Sequence, residues 1–224
     1  AEKRKLSANK KDIEEIMERL ENQIDIKIEQ RIIDFSVSDM TCMCVTDDDK
    51  IYNNLKACEL LVEQLYHRGI KNAYVDYCIQ SNNPCENNWD GNPCMCIGIT
   101  IFEIPELSPE NEEYIEIITN EIMNTLMRDI KYNIKNSRDV DTNYKFYIIN
   151  KDLSENCHRG WVDELRGVHY NEQSKIFKIA RINCIDDLIS HGFRAIVIRD
   201  SNCRVYIQMS NIQKVWEDMC LQNT

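Results

Sequence analysis

Residues 72–104 read NAYVDYCIQSNNPCENNWDGNPCMCIGITIFEI and contain the clearest strand signal in the chain. Two runs rich in Val, Ile, Tyr and Thr, at residues 72–80 and 94–104, flank a loop of Asn, Pro and Gly at residues 81–93. β-Branched and aromatic residues favour strands, whereas Asn, Pro and Gly favour turns. The stretch therefore predicts two strands joined by a long hairpin-like loop.

Two helices are predicted before this hairpin, because apolar residues recur there at helical spacing. We expect the first helix to run from residue 9 to about residue 34, with Ser7 or Asn9 as its cap. The second starts on the acids at residues 47–49 and ends at Gly69, since glycine readily adopts the left-handed conformation that closes a helix.

The chain after the hairpin alternates helix and strand signals. Ser108 followed by a proline predicts the start of the longest helix, whose apolar stripe extends to residue 134. Ser210 with Gln213 predicts a capping box that opens a final helix. Further predicted elements are a strand at 144–150, short helices at 154–166 and at 185–190 (closed by Gly192), and a hairpin at 195–199 and 204–209.

The fold class predicted from these signals is α+β, predominantly α-helical with short antiparallel strands and hairpins. We divide the chain into a polar N-terminal arm at residues 1–12, a main helical body at 13–170 and a smaller C-terminal helix-hairpin-helix unit at 171–224, expected to form one compact body. With 224 residues, of which 43% are hydrophobic, the chain is long enough to bury a substantial core.

The net charge of −11 disfavours nonspecific binding to nucleic acid or to anionic membranes. No stretch approaches the roughly 20 apolar residues that span a bilayer. The basic cluster at residues 3–11 is best explained as a solvated segment, and no apolar export segment follows it, so we expect the protein to be made and kept inside a cell.

Recognisable catalytic motifs are absent from the sequence. It contains no phosphate-binding glycine loop and no nucleophile elbow, and its histidines, His67, His158, His169 and His191, are isolated from one another. Cys157 and His158 are adjacent, but sequence neighbours rarely face each other. Runs of glutamate such as Glu110, Glu112, Glu113 and Glu116 are typical of solvated helix faces. We therefore predict no catalysis, no cofactor and no metal.

Eleven cysteines are an unusual number for a chain without an export segment, and an odd count cannot pair completely within one chain. Two C-x-C pairs, Cys42 with Cys44 and Cys94 with Cys96, could supply four thiolates to one metal if the two segments are adjacent. Buried strand thiols or disulfide partners are the simpler interpretation. The candidate disulfide or lattice cysteines are Cys42, Cys44, Cys85, Cys94, Cys96, Cys157, Cys203 and Cys220.

The segments at residues 1–11 and 81–93 are polar and would need contact with a partner to become ordered. Ordering a residue costs about 1–2 kcal/mol of backbone entropy, which such a contact would offset. A neighbouring copy that accepts a swapped terminal arm would supply it. The loop cysteines Cys85, Cys94 and Cys203 and the terminal Cys220 lie where such a partner could reach them. Ten tyrosines and unpaired thiols begin to ionise above about pH 8.5–10, so the assembly would dissociate in alkali.

In overall character the chain resembles the viral occlusion-body matrix proteins, the polyhedrin-like crystal formers, and among them most closely the nudivirus occlusion-body proteins. The likeness lies in size, the Ala1 start, the loop cysteines and the tyrosine and acid content, without a shared motif. The resemblance implies self-assembly, inside an infected cell, into a disulfide-reinforced crystalline matrix that protects virions. It implies the chain itself and the virion surface as partners, an extracellular phase as an occlusion body, and no catalysis.

A second hypothesis is an intracellular thiol-rich binding module without catalysis. Its candidate metal ligands are Cys42, Cys44, Cys94 and Cys96. An enzyme of unrecognised type is a third alternative, because unfamiliar active sites escape sequence patterns.

Overall fold

A computed structural model describes residues 9–39, 43–44, 48–80, 94–136, 144–151, 167–200 and 204–222. The fold is α+β, as predicted. In chain order the elements are α1 Lys10–Glu29, β1 Phe35–Ser38, β2 Met43–Cys44, α2 Asp48–His67, β3 Ala73–Gln80, β4 Cys94–Ile101, a 3-10 turn Pro109–Asn111, α3 Glu113–Asn136, β5 Tyr144–Lys151, α4 Tyr170–Ser190, β6 Arg194–Arg199, β7 Arg204–Ser210 and α5 Ile212–Gln222.

The chain divides into two compact units. Unit 1 comprises Ala1–Glu103 and Ile198–Cys203, and unit 2 comprises Ile104–Val197 and Arg204–Thr224. Tyr170, where the sequence placed a boundary, lies inside unit 2 as the first residue of α4. Within the described residues, no helix combines the length and the apolar character needed to span a bilayer.

The sheet of unit 1 is organised around β4. This strand pairs antiparallel with β1, β2 and β3, so the predicted hairpin of residues 72–80 and 94–104 is present as β3 and β4. The end of β6 adds a parallel pair to β3, with Val75 opposite Ile198 and Asp76 opposite Arg199. The loop at residues 81–93 lies outside the described residues.

The core of unit 1 lies between one face of this sheet and its two helices. The helices bury apolar residues at helical spacing, and alternate sheet positions do the same with period two. Each fully buried Leu or Ile contributes about 1.5–3 kcal/mol. The buried residues are Ile13, Ile16, Leu20 and Ile24 on α1, Ala57, Cys58, Leu61, Val62 and Leu65 on α2, and Val37, Ala73, Val75, Ile97, Ile99 and Ile101 on the strands.

The two ends of α1 differ in how well the sequence predicted them. Asn9 is the cap, as predicted, and its side chain accepts a hydrogen bond from the Lys11 N–H at 3.2 Å. The predicted extension to residue 34 is wrong, because Arg31 adopts a left-handed conformation with φ 57°. Its N–H donates to the Ile28 carbonyl, and the Ile32 N–H donates to the Lys27 carbonyl at 3.0 Å. These two bonds form a Schellman motif, which usually carries glycine at this position.

Unit 2 contains the longest helix, α3, whose buried stripe includes Ile118, Ile122, Leu126 and Ile130. α3 packs on α4, and β7 lies between β6 and β5 in the strand order. The predicted strand at 144–150 is present as β5, and the predicted hairpin strands are β6 and β7. The predicted short helix at 154–166 lies outside the described residues.

Two helix predictions in unit 2 were incomplete or wrong. The predicted helix at 185–190 is only the last third of α4, which is closed at Gly192 with φ 91° as expected. The earlier part was missed because further isoleucines lie on the half-buried side of the helix, opposite its buried stripe, so the apolar residues in the sequence do not form one stripe. The capping box at Ser210 is absent: α5 begins at Ile212, and the Gln213 amide donates to Glu217 at 3.0 Å.

Gly98 is expected to be essential to the sheet of unit 1. A Cβ at this position would overlap the backbone carbonyl oxygen of Val37 in β1, so Gly98→Ala should lower the free energy of unfolding by about 3 kcal/mol or more. Gly69→Ala is the matched control, because no atom lies within 4 Å of its added Cβ. Its φ of 90° should cost only about 1–2 kcal/mol. Urea unfolding followed by circular dichroism measures both, and equal losses would contradict the prediction.

Candidate functional site

Four cysteines occupy neighbouring register positions in the sheet of unit 1. Cys44 of β2 is directly opposite Cys94 of β4, and Cys78 of β3 is directly opposite Cys96 of β4. Opposite residues in an antiparallel pair share a face, and so do residues two apart on one strand. The four positions therefore lie on one face of the sheet, with about 4.5–5.5 Å between the Cα atoms of each opposite pair. We call this set the cysteine ladder.

The cysteine ladder partly matches the sequence prediction. The segments carrying the two C-x-C pairs are adjacent, which is the condition that the metal hypothesis required. Sequence reasoning missed Cys78, whose membership depends on the register between β3 and β4. Cys42 lies outside the described residues. The separation of opposite Cα atoms also falls within the range of about 4.4–6.8 Å that a disulfide needs.

The other candidate cysteines do not all lie in loops or at the terminus, where the sequence placed them. Cys94 does not lie in a loop: it is the first residue of β4, and it pairs on both sides. Cys220 lies within α5. Cys85, Cys157 and Cys203 lie outside the described residues.

Two further cysteines, Cys58 in α2 and Cys184 in α4, are buried free thiols. Burial raises the pKa of Cys58 to about 12, with a smaller contribution from the charge of Glu59. Burial likewise raises the pKa of Cys184 to about 12, with a smaller contribution from Asp187. Both thiols are therefore protonated at neutral pH and act as core residues, because a nucleophile or metal ligand has to be a thiolate.

A chain of polar side chains crosses the sheet face that is opposite the helices of unit 1. The hydroxyls of Ser36 and Thr100 are 2.7 Å apart, and the Thr100 hydroxyl donates to the Asp76 carboxylate at 3.3 Å. The Arg199 guanidinium pairs with both oxygens of Asp76, with its Nε 2.9 Å from Oδ1, and lies over the Tyr74 ring. Asp76 thus accepts hydrogen bonds from two residues, Thr100 and Arg199, so the chain joins four strands rather than presenting a free base.

A groove of about 750 Å³ lies in unit 2 between the first turns of α3 and the last turns of α4. Its lining consists of four carboxylates, two amides, four apolar residues and one hydroxyl: Glu112, Glu116, Asp186, Asp187, Asn120, Asn183, Pro105, Leu107, Ile115, Ile179 and Thr119. The sequence assigned the glutamates of residues 110–116 to a solvated outer face. All four are exposed, as predicted, and Glu112 and Glu116 also line this groove, whose opposite wall is α4. We call this the acidic groove.

The described histidines have roles at helix ends. His67 is the last residue of α2, and the ring of His169 accepts a hydrogen bond from the Asn171 N–H at 3.3 Å to cap α4. His191 follows α4, and its Nδ1 is 2.7 Å from the Asp187 carbonyl oxygen. His158 lies outside the described residues. Among the side chains that the structure describes, no group of three His, Cys, Asp or Glu is arranged to hold a metal ion.

Comparison with protein-family models, with curated proteins and with solved structures finds no match.

The buried thiols predict a loss of stability in alkali. Below pH 9 both thiols are protonated in the folded and the unfolded chain; between pH 9 and about pH 12 only the unfolded chain ionises them, so the free energy of unfolding falls. Each thiol contributes a slope of about 1.4 kcal/mol per pH unit in this interval.

Cys184→Ala should therefore reduce the slope of unfolding free energy against pH, measured by urea unfolding between pH 9.5 and 11. Ile122→Val is the control, since it removes a buried methyl group without removing an ionisable one. The prediction is wrong if Cys184→Ala retains the wild-type slope.

Proposed function

We propose that this chain is a non-catalytic structural protein that assembles with copies of itself. One observation carries the proposal: four isoleucines within eight residues, at the end of α1 and just after it, are exposed. Ile26 is 52% exposed, Ile28 42%, Ile32 36% and Ile33 58%. The four residues are close in sequence, although Ile26 and Ile28, two apart on α1, lie on different sides of the helix. Exposed apolar surface of this kind is typical of interaction sites. We call these four residues the isoleucine patch.

The charges around the isoleucine patch favour a second copy as its partner. Acids at Glu29 and Asp34 alternate with bases at Lys27 and Arg31, whereas the nearby Asp25 already pairs with Arg68 at 2.9 Å. When two copies of such a segment meet about a two-fold axis in antiparallel orientation, acids of one copy can face bases of the other. The same surface then supplies both the apolar contact and its complementary rim.

More specifically, the assembly is a viral occlusion-body matrix reinforced by disulfides, the class of protein that the chain resembles. The Cys44–Cys94 register supports a cross-strand bond within each chain, and the odd number of cysteines supports at least one bond between chains. The partners are then the chain itself and the virion surface. The protein would be made inside an infected cell and would later be extracellular within the matrix.

The test is assembly of the triple variant Ile26→Ser/Ile28→Ser/Ile33→Ser. Because these side chains are exposed, the variant should fold normally but form much smaller particles than wild type in light scattering at pH 7. Tyr132→Ser is the control, since Tyr132 is 67% exposed and lies on α3 in unit 2. Wild-type protein that is monomeric at pH 7 with and without reductant would overturn the proposal.

Alkaline release needs a further control, because the buried thiols also destabilise the fold at high pH. Particle size and circular dichroism should be followed together from pH 7 to pH 10.5. Particles that dissolve while the circular dichroism signal is unchanged support release by charge repulsion between folded chains. Dissolution that coincides with loss of the signal is unfolding, and would contradict alkaline release of an intact subunit.

A second candidate function is a thiol-rich metal-binding module, which the cysteine ladder favours because it brings Cys44, Cys78, Cys94 and Cys96 together by register. Thiolates select Zn²⁺ and Cu⁺. On this hypothesis the purified chain contains about one metal ion, and Cys94→Ser/Cys96→Ser removes it, whereas the control Cys220→Ser retains it. Elemental analysis measures the metal. Metal-free wild type, with Cys44–Cys94 and Cys78–Cys96 disulfides in peptide mass spectra, would eliminate this candidate.

A further inference from the structure

Residues 198–203 are connected to unit 2 along the chain but belong to unit 1. Ile198–Cys203 is part of unit 1, whereas the chain before it, up to Val197, and after it, from Arg204, is part of unit 2. The rest of unit 1 is joined to the following chain only at the peptide bond between Glu103 and Ile104. Unit 1 is therefore completed by a segment from beyond that single connection. We call residues 198–203 the inserted segment.

The inserted segment occupies one edge of β3. Ile198 is opposite Val75 and Arg199 is opposite Asp76 in the parallel pair, and Ile198 and Val75 are both completely buried. The Arg199 guanidinium pairs with the Asp76 carboxylate and lies over the Tyr74 ring. An open β3 edge would leave backbone groups and an apolar side chain uncovered, so folding of unit 1 requires a copy of this segment at that edge.

Every copy of the chain carries an identical inserted segment. A segment from a second copy can form the same backbone pair, the same apolar contact and the same ion pair, so an exchange between copies needs no new surface. The Asp76 carboxylate also limits what can occupy the edge, because it needs a cation directly after the buried apolar residue. The inserted segment supplies both, as Ile198 and Arg199.

The connection between residues 103 and 104 is suited to a change of backbone direction. Before it, the Phe102 N–H donates to the Asn72 carbonyl at 3.1 Å. After it, the Ser108 N–H donates to the Glu172 carboxylate at 3.4 Å. The two residues at the connection are exposed and belong to neither a helix nor a strand. A rotation there would break little packing, as is typical of hinges.

We propose that two copies exchange their inserted segments, so that unit 1 of each copy is completed by residues 198–203 of the other. This inference rests on the proposed self-assembly. A segment of the same chain competes with an effective concentration on the order of millimolar. Exchange is therefore favoured only when a further contact holds two copies together, and the isoleucine patch supplies that contact.

The first experiment detects the exchange by a disulfide that no single chain can form. One chain carries Val75→Cys and a second chain carries Ile198→Cys. The two are co-expressed, oxidised and digested, and the peptides are identified by mass spectrometry. Opposite residues on neighbouring strands are about 4.8 Å apart, which is within the Cα range of a disulfide. We expect a peptide that links positions 75 and 198.

Three controls accompany this experiment. A chain that carries both substitutions should form the bond with or without exchange, and shows that the two thiols can be oxidised. Ile196→Cys in place of Ile198→Cys should give no linked peptide, because Ile196 is a buried residue of the same strand that is not opposite Val75. The triple serine variant of the isoleucine patch should lose the linked peptide, because its copies are no longer held together.

The outcomes separate this inference from the proposed assembly. Particles that form without the linked peptide, while the chain with both substitutions forms its bond, would overturn the exchange and leave the assembly intact. A wild type that is monomeric in light scattering would overturn the assembly itself.

A second experiment uses the ion pair. Asp76→Arg in one chain and Arg199→Asp in another each bring like charges together, so each chain alone should unfold at a lower urea concentration than wild type. When the two chains are refolded together, exchange restores an Arg–Asp pair at both sites, and the unfolding midpoint should rise. Asp76→Arg/Arg199→Asp in one chain is the matched control, because it restores the pair without exchange. A mixture that unfolds as the sum of its two components would contradict the exchange.

Discussion

Strand β4 is hydrogen-bonded on both edges, and the rest of unit 1 depends on that pairing. β1 and β2 share one edge and β3 occupies the other. Close approach of β1 is possible only because Gly98 has no side chain at the carbonyl of Val37. The same pairing sets which residues face α1 and α2 and which face away, since a slip of one residue would exchange the two faces. The hydrophobic core and the cysteine ladder are therefore set by one register.

The two units offer different surfaces. In unit 1 the sheet face away from the helices carries the Ser36–Thr100–Asp76–Arg199 chain and, at one end, the cysteine ladder. Its polar groups bond mainly to one another. In unit 2 the acidic groove has carboxylates on two helices. The first arrangement stabilises the sheet, whereas the second leaves its charged groups on the surface of unit 2.

Elements with one apolar face were predictable from the sequence, and those without one were not. α2 and α3 each have a single buried stripe and clear end signals, and β3 and β4 are β-branched runs beside turn residues. The end of α1 could not be predicted from the sequence, because the left-handed residue that ends the helix is Arg31 and not a glycine. Most of α4 was not predictable because its apolar residues lie on the half-buried side as well as on the buried side. The sequence analysis allowed for the adjacency of Cys44 and Cys94. It could not predict that Cys78 joins them, because that depends on strand register, or that the acidic groove forms, because that depends on helix packing.

The pair between Asp76 and Arg199 joins residues 123 positions apart, so unit 1 is discontinuous along the chain. On a ribosome, α1, α2 and the first four strands emerge long before Arg199 does. During that interval the β3 edge lacks its parallel partner, and Asp76 lacks the guanidinium that it will pair with. Contacts of such long sequence separation form slowly, and unpaired strand edges are prone to associate with other chains. Nascent copies held close together on neighbouring ribosomes would thus be most able to exchange strands before each has completed its own sheet.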